Sequence, residues 1–185
     1  MNAINLHRMD YDGSQLHHAF AYEHAHKLGA TICYFRGATN VKEHLVDLED
    51  SLADDFIKSE EMWHFIIEIP EATITEMVVW QRLFITMCID ELRKELRGFI
   101  ITRKGDDIMI GDSKLSVSIA TLSRFSGLIH VGINIDVGEG CPVKAIGLKD
   151  ISNEVFHLAF GKRISNAFVE EYVDIKDATF KVIEV

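Results

Sequence analysis

The sequence predicts an α+β protein, in which a mixed, mostly antiparallel sheet is backed by helices. Residues 105–143 are typical of a tight strand meander, because apolar residues alternate with small or polar ones between turn residues. A long apolar stripe predicts a helix just before that meander. Helices are not interleaved with every strand, which favours α+β over a doubly wound α/β fold.

The first third of the chain predicts two helices around one strand. Ser14 is a candidate cap of a first helix that Gly29 would end. The β-prone run 31–36 predicts a short strand ending at Gly37. Asn40 is a candidate cap of a second helix, whose apolar face would carry Val41, Leu45, Leu48 and Leu52.

Residues 62–69 predict a strand with two different faces, ended by Pro70. One face would carry Trp63, Phe65, Ile67 and Ile69, and the other Met62, His64, Ile66 and Glu68. The long helix then starts at Thr73 or Thr75 and stops at Gly98. After the meander, Asp150 or Ser152 would cap a helix running to about Tyr172, and residues 178–185 predict a last strand.

Length, charge and cysteine content narrow the class of protein. A chain of 185 residues with two prolines and no flexible linker suits a single domain, 1–185. A net charge of −10 argues against nucleic acid as a partner. No apolar run is long enough to cross a membrane, and no signal peptide is recognisable. Three cysteines without paired spacing suit a reducing, cytoplasmic location.

The meander is where the sequence places a small-molecule site. It would bring Lys114, His130, Asn134 and Cys141 together. Alternation predicts a buried face carrying Leu115, Val117 and Ile119, with Ile129, Val131, Ile133 and Ile135 on the next strand. The opposite faces would line a ligand site, since they carry small or hydrogen-bonding residues: Ser116, Ser118, Ala120, His130, Gly132 and Asn134.

Each candidate side chain has a structural alternative. Lys114 opens a strand and could bind a carboxylate or phosphate, or be an ordinary solvated lysine. His130 could contact a ligand or be a half-buried histidine bonded to a neighbouring strand. His64 and Glu68 repeat this pattern, and two imidazoles and a carboxylate would meet if the two strands were neighbours.

Cys141 is the candidate nucleophile. It lies in a glycine-containing loop, 138–142, and a thiolate there would need a nearby cation or base such as Lys114 or His130. The alternative is an inert loop thiol. Cys33 and Cys88 lie in apolar patterns and are predicted to belong to the core.

Neither a metal site nor a cofactor can be read from the chain. The histidines at 17, 18, 24 and 26 include no pair spaced by four residues, so no metal site is predicted there. The acidic run over residues 47–55 could hold a divalent cation but is more typical of a solvated face. There is no phosphate-binding loop, dinucleotide fingerprint or nucleophile elbow.

Several phrases resemble those of an uncharacterised family, the domain of unknown function 366. They include MWHFIIE (62–68), GDDIMIGDSKLSVSIAT (105–121) and LIHVGINI (128–135). A lysine opening a small-residue strand, followed by a strand of the form H-x-G-x-N, is similar to the biotin/lipoate protein ligase and octanoyltransferase group. That resemblance implies a mixed sheet backed by helices.

The more distant resemblance also implies roles for individual residues. Lys114 matches the lysine that touches the ligand's carboxylate, phosphate or acyl carbonyl, and Cys141 falls where octanoyltransferases carry a cysteine. The chain departs from those ligases at residues 50–62, which lack their glycine/arginine-rich loop. The resemblance therefore implies a small-molecule acyl or cofactor transferase. The alternative is a non-catalytic metabolite-binding or assembly protein on the same scaffold, and a homodimer through an edge strand remains open.

Overall fold

The computed structural model describes residues 1–53 and 56–183. Most of the strands lie in the first two thirds of the chain. One long helix lies between the third and fourth strands, and the other follows the last strand. The elements run in the order β1 (Asn2–Arg8), α1 (Phe20–Ala25), β2 (Thr31–Val41), α2 (Leu48–Ala53), β3 (Ile57–Pro70), α3 (Ile74–Glu95), β4 (Ile101–Lys104), β5 (Asp107–Ile110), β6 (Ser113–Lys114), β7 (Ser116–Leu122), β8 (Ser126–Asp136), α4 (Leu148–Ile151) and α5 (Glu154–Ala178).

A five-stranded sheet forms the centre, in the order β1-β2-β3-β8-β7. β1 runs parallel to β2, and every other neighbouring pair in it is antiparallel. β4, β5 and β6 make a separate three-stranded antiparallel sheet beside α3. The predicted α+β class, with a mixed and mostly antiparallel sheet backed by helices, is confirmed.

The main core lies between the large sheet and the helices α3 and α5. The predicted alternation of β3 holds, since Trp63, Phe65, Ile67 and Ile69 all face this core. α3 and α5 contribute Phe84, Cys88, Phe160 and Phe168. Burying such apolar side chains is the main source of stability for the sheet–helix packing.

A smaller apolar cluster covers the other side of the sheet. Its members are Tyr11, Phe20, Ala21, Cys33, Phe35, Val41 and Ile66. Cys33 and Cys88 are both buried, as the sequence predicts. This side is less completely filled, and the candidate site lies here.

Side-chain caps fix where the two long helices begin. Thr73 forms a capping box at the start of α3: its hydroxyl accepts from the Glu76 N–H at 3.2 Å, and its own N–H donates to the Glu76 carboxylate. The side chain of Asn153 accepts from the Phe156 N–H at 2.9 Å and caps α5. The predicted caps Asp150 and Ser152 instead lie in and after the short helix α4.

Several predicted boundaries of helices and strands are wrong in the first third of the chain and at its end. β1 was not expected, because its alternation is weak. The predicted first and second helices shrink to α1 and α2. The second is shortened because β2 extends through residues 37–41 and pairs with residues 57–62 of β3. The predicted last strand is also wrong: α5 runs on to residue 178 and residues 179–183 form no strand. Residues 184 and 185 lie outside the described residues.

Candidate functional site

A cavity of about 300 Å³ opens on the side of the sheet away from α3 and α5. This is the lower end of the range for small-molecule sites. Its lining mixes apolar side chains with a few polar ones: Tyr11, Val41, His44, Leu45, Val46, Asp47, Phe56, Ile57, Lys58, Met62, Asp106, Asp107, Lys114, Ser116, Val117, Ser118, Ile119, His130, Asn134, Cys141, Pro142, Val143 and Ala145.

Lys114 supplies a positive charge to the lining of this cavity. Its ammonium forms an ion pair with Asp107 at 3.0 Å. Its backbone is held on both sides, because its N–H donates to the Lys144 carbonyl at 2.9 Å and its carbonyl accepts from the Ile146 N–H at 3.1 Å. Partial burial raises the pKa of Asp107 and Lys114 opposes that rise. The lysine is therefore anchored but only half-buried, so an anionic ligand could share it with Asp107.

Cys141 lies on the loop between β8 and α4, in the same cavity lining as Lys114. Gly138 and Gly140 have φ angles of 67° and 80°, which let this loop turn back over the sheet. Lys58 donates to the Glu139 carbonyl at 2.9 Å and ties the loop to β3. The thiol is partly exposed and makes no hydrogen bond with any described residue.

His64 and His130 form a directly bonded pair beneath the cavity. β3 and β8 are neighbours, and the pairing places His64 opposite Gly132. His64 Nδ1 lies 3.1 Å from His130 Nε2. The Tyr11 ring covers the pair, stacked on His130 with centroids 3.8 Å apart and an angle of 7° between the rings. His130 reaches the cavity lining, whereas His64 lies behind it.

Both imidazoles are held neutral. Burial lowers the pKa of His64 to about 4. Burial, with a smaller contribution from the neighbouring His64, also lowers the pKa of His130 well below its ordinary value. A neutral imidazole has one donor nitrogen and one acceptor nitrogen, so the direction of each bond in this pair is fixed by its neighbours.

Glu68 does not join the histidine pair. It lies at the other end of β3, where its carboxylate accepts from the Ser126 hydroxyl at 2.7 Å and from the Ala19 N–H at 3.1 Å. His18 Nδ1 also lies 2.7 Å from this carboxylate. The sequence predicted that two imidazoles and a carboxylate would lie together. The two imidazoles do so, and the Glu68 carboxylate does not. Glu68 instead fastens the start of α1 to the sheet.

The predicted ligand face of β7 is inverted. Ser116 and Ser118 pair with Ile133 and Val131, whose side chains belong to the helix-side core. Their hydroxyls are already bonded: Ser116 accepts from the Ile108 N–H at 2.8 Å, and Ser118 accepts from the Gln81 amide at 2.7 Å. Both residues border the cavity, but these bonds hold the neighbouring elements together.

Apolar side chains take the place that the serines were expected to fill. Val117 and Ile119 line the cavity next to His130. Leu115 lies between β6 and β7 and belongs to neither strand, so the alternation of side chains in β7 does not continue that of Leu115. Gly132 does create space, as predicted, but Met62 and Val117 fill it: a Cβ there would lie 3.0 Å from each. The cavity lining thus combines these apolar side chains with the polar groups of Lys114 and His130.

The lining residues that were not predicted include Tyr11, Lys58 and Asp107. Tyr11 stands in an irregular segment that reaches the site through an isolated bridge to Thr39, which no sequence periodicity signals. Asp107 follows the predicted turn at Gly105. The strands expected on either side of the next turn would have predicted that Asp107 lies close to Lys114. Lys58 lies on the part of β3 that the sequence did not assign to a strand.

Two absences concern the described part of the chain. Among the side chains that the structure describes, which leave out those of residues 49, 50, 53–55, 184 and 185, no three His, Cys, Asp or Glu are grouped so as to hold a metal ion. The acidic run includes Asp54 and Asp55, which are among the residues left out. No described helix is long and apolar enough to span a membrane.

Comparison with solved structures identifies the fold. A biotin protein ligase from Aquifex aeolicus, a point mutant in complex with biotin, superposes with a TM-score of 0.60 at 14% identity, over 93% of this chain and 71% of that one. A protein from T. acidophilum with bound lipoic acid gives a TM-score of 0.54 at 11% identity, over 94% and 87%. The chain therefore has the biotin/lipoate protein ligase fold.

The chain belongs to the family described as Domain of unknown function (DUF366), whose model matches residues 1–183. An uncharacterized protein of Methanocaldococcus jannaschii is 31% identical over 150 residues, which cover 78% of this chain and 67% of that protein. A protein of unknown function from Pyrococcus horikoshi superposes with a TM-score of 0.89 at 35% identity, over 99% and 98% of the two chains.

Proposed function

We propose that this protein binds a small carboxylic acid or its thioester in the cavity and transfers the acyl group. The observation that carries the proposal is the cavity that Lys114, Cys141 and His130 line together with the apolar side chains of Val117 and Ile119. An ammonium suits a carboxylate or an acyl carbonyl. Apolar side chains suit an alkyl chain. The ligands bound by the structural neighbours, biotin and lipoic acid, combine these two features.

The proposed transfer uses an acyl thioester as the donor. The Cys141 thiolate attacks the carbonyl carbon, a new carbon–sulfur bond forms and the donor's carbon–sulfur bond breaks. The proton from Cys141 leaves with the released thiol. Lys114 would stabilise the negative charge that develops on the carbonyl oxygen. An acceptor amine would then take the acyl group and restore the cysteine.

The second candidate is a metabolite-binding protein without catalysis. Cys141 has no hydrogen bond to a base among the described residues, and His130 Nε2 is already bonded to His64. A cysteine nucleophile needs such a partner or a lowered pKa. Residues 50–62 also lack the glycine/arginine-rich loop of the ligases, which disfavours adenylate formation.

The first prediction concerns Lys114. We expect Lys114→Ala to weaken binding of octanoate, biotin or lipoate, whichever binds the wild type, by about 10- to 100-fold, the usual contribution of a hydrogen bond to a charged group. Isothermal titration calorimetry measures the change. Lys144→Ala removes an exposed lysine from the adjoining loop and should leave the affinity unchanged. Equal affinity of Lys114→Ala and wild type would contradict the proposal.

Intact-mass spectrometry separates the two candidates. Incubation with octanoyl-CoA should leave an octanoyl adduct on the wild type and on Cys33→Ala, and none on Cys141→Ala. Cys33 is a suitable control because burial raises its pKa to about 12. Octanoate binding without any adduct would favour the non-catalytic candidate. A cytoplasmic location, the absence of nucleic-acid partners and a homodimer remain predictions.

A further inference from the structure

The histidine pair has a defined direction of hydrogen bonding. His64 Nε2 lies 3.3 Å from the Gly37 carbonyl, which can only accept a hydrogen bond. The Thr39 hydroxyl lies 3.3 Å from the same nitrogen. Because its single proton is donated to Met62 Sδ at 2.9 Å, its oxygen can only accept from Nε2. The proton of neutral His64 is therefore on Nε2, and its Nδ1 is an acceptor.

The same reasoning assigns the proton of His130. Because His64 Nδ1 accepts, the nitrogen 3.1 Å away, His130 Nε2, must donate. A neutral imidazole with its proton on Nε2 keeps an unshared electron pair on Nδ1. The chain of bonds thus runs from His130 through His64 to the Gly37 carbonyl, and it ends in an acceptor on His130.

That acceptor belongs to a side chain that lines the cavity. No described residue bonds to His130 Nδ1. His130 is buried apart from 3% of its surface and lies against the cavity. Since His130 lines the cavity, its free nitrogen meets the cavity contents.

We infer that His130 Nδ1 presents a fixed hydrogen-bond acceptor to the cavity and selects a ligand that carries an O–H or N–H donor. This inference rests on the proposed function, in which Lys114 holds the ligand's carboxylate. Asn134 marks the position of the lysine, since its amide donates to the Lys114 carbonyl at 3.4 Å. His130 and Asn134 are four residues apart on β8, a separation of about 13 Å. The ligand class is therefore a carboxylic acid that carries its O–H or N–H donor on a carbon away from the carboxylate.

The tautomer can be measured before any ligand is added. Two-bond proton–nitrogen correlation spectra of protein labelled with ¹⁵N-histidine distinguish the two neutral forms and the imidazolium. We expect His64 and His130 at neutral pH both to carry the proton on Nε2 alone. A proton on His130 Nδ1, in either the neutral or the charged form, would overturn the inference whatever the cavity binds.

Ligand preference is tested with ω-hydroxy acids of eight and ten carbons against the unsubstituted acids of the same length. The wild type should bind the better hydroxy acid about 3- to 10-fold more tightly, the net effect of one neutral hydrogen bond. His130→Gln keeps an amide at the position of Nε2, which can still donate to His64, but lacks the Nδ1 acceptor. This variant should bind the hydroxy acid and the unsubstituted acid with about equal affinity.

His130→Asn is the matched control. Its amide oxygen can occupy the position of Nδ1, so part of the preference for the hydroxy acid should return. An unchanged preference in folded His130→Gln would overturn the inference. If no acid binds the wild type, the proposed function fails, and the tautomer measurement still decides whether His130 offers an acceptor.

Discussion

His64 and His130 are enclosed by aromatic rings on several sides. Tyr11 stacks on both imidazoles, and Phe35 stacks on His64 with centroids 5.0 Å apart. Their neutral state is a consequence of this burial, since a charge there would lose its hydration. The stability of the fold and the chemistry of the cavity floor are therefore linked through the same two side chains.

The pKa shift of His64 predicts a pH dependence of stability. The unfolded imidazole has a pKa near 6.5, and the folded one has a pKa of about 4. Between these values the unfolded state binds more protons, so stability falls as the pH falls from about 6.5 to about 4. We expect the loss attributable to His64 to be on the order of 3 kcal/mol. Urea unfolding at several pH values would measure it.

Variants isolate the histidine from the carboxylates that titrate in the same range. His64→Gln should flatten the dependence of the free energy of unfolding on pH in this window. His24→Gln replaces an exposed histidine on α1 and should leave the slope as in the wild type. A slope unaffected by His64→Gln would show that this side chain is not the group responsible.

Part of the site was predictable from residue spacing alone. His130, Gly132 and Asn134 had to share a face of any strand, and they do. The contact between His64 and His130 depends on β3 pairing with β8 in one particular register, which a single sequence does not specify. Tyr11 comes from a segment without periodicity, so no pattern could have placed it over the imidazoles.

At the level of elements, strongly periodic segments were predicted best. α3 and its Thr73 cap followed from an apolar stripe and a capping residue. β1 and the end of α5 were missed, because tertiary packing decides weakly patterned segments. In β7 the alternation of side chains was predicted correctly, but its two faces were assigned to the wrong sides of the sheet. The cause is Leu115, a single residue between β6 and β7 that interrupts the alternation.

The packing of α5 on β3 leads to a prediction at Gly161. This glycine faces Trp63, and a Cβ at position 161 would lie 2.5 Å from the indole ring. Trp63 cannot easily move, since its indole N–H donates to the His157 carbonyl of the same helix at 2.7 Å. Gly161→Ala should therefore destabilise the protein by about 1–3 kcal/mol through overpacking, although alanine is the better helix former.

Denaturant unfolding of Gly161→Ala measures this effect. Gly98→Ala is the matched control, because nothing lies within 4 Å of a Cβ at position 98, and it should change stability little. A stabilised Gly161→Ala would mean that helix propensity outweighs the contact with Trp63, contrary to the close packing described for this interface.

On the scale of the whole molecule, one sheet is shared by two apolar clusters. Phe84 is fully buried on the helix side and Phe35 on the cavity side. The sequence could predict that the sheet would be covered by helices, because the apolar stripe of α3 requires a partner surface. It could not predict the small separate sheet of β4, β5 and β6.

The shared sheet predicts a single cooperative transition, as expected for one domain over residues 1–185. Phe35→Leu and Phe84→Leu should each cost about 1–3 kcal/mol, and both should lower the midpoint of the same calorimetric peak. Differential scanning calorimetry of the two variants and the wild type checks this. Two resolved peaks, each shifted by only one variant, would instead indicate two independently unfolding parts.

The pairing of β3 with β8 has a consequence for how the protein is made. Its two histidines are 66 positions apart, and α3 with the small sheet lies between them. Closing so long a loop is entropically costly and slows folding. The cavity floor should consequently be among the last parts to mature on the ribosome: β2 and β3 can pair early, whereas β8 must first leave the exit tunnel.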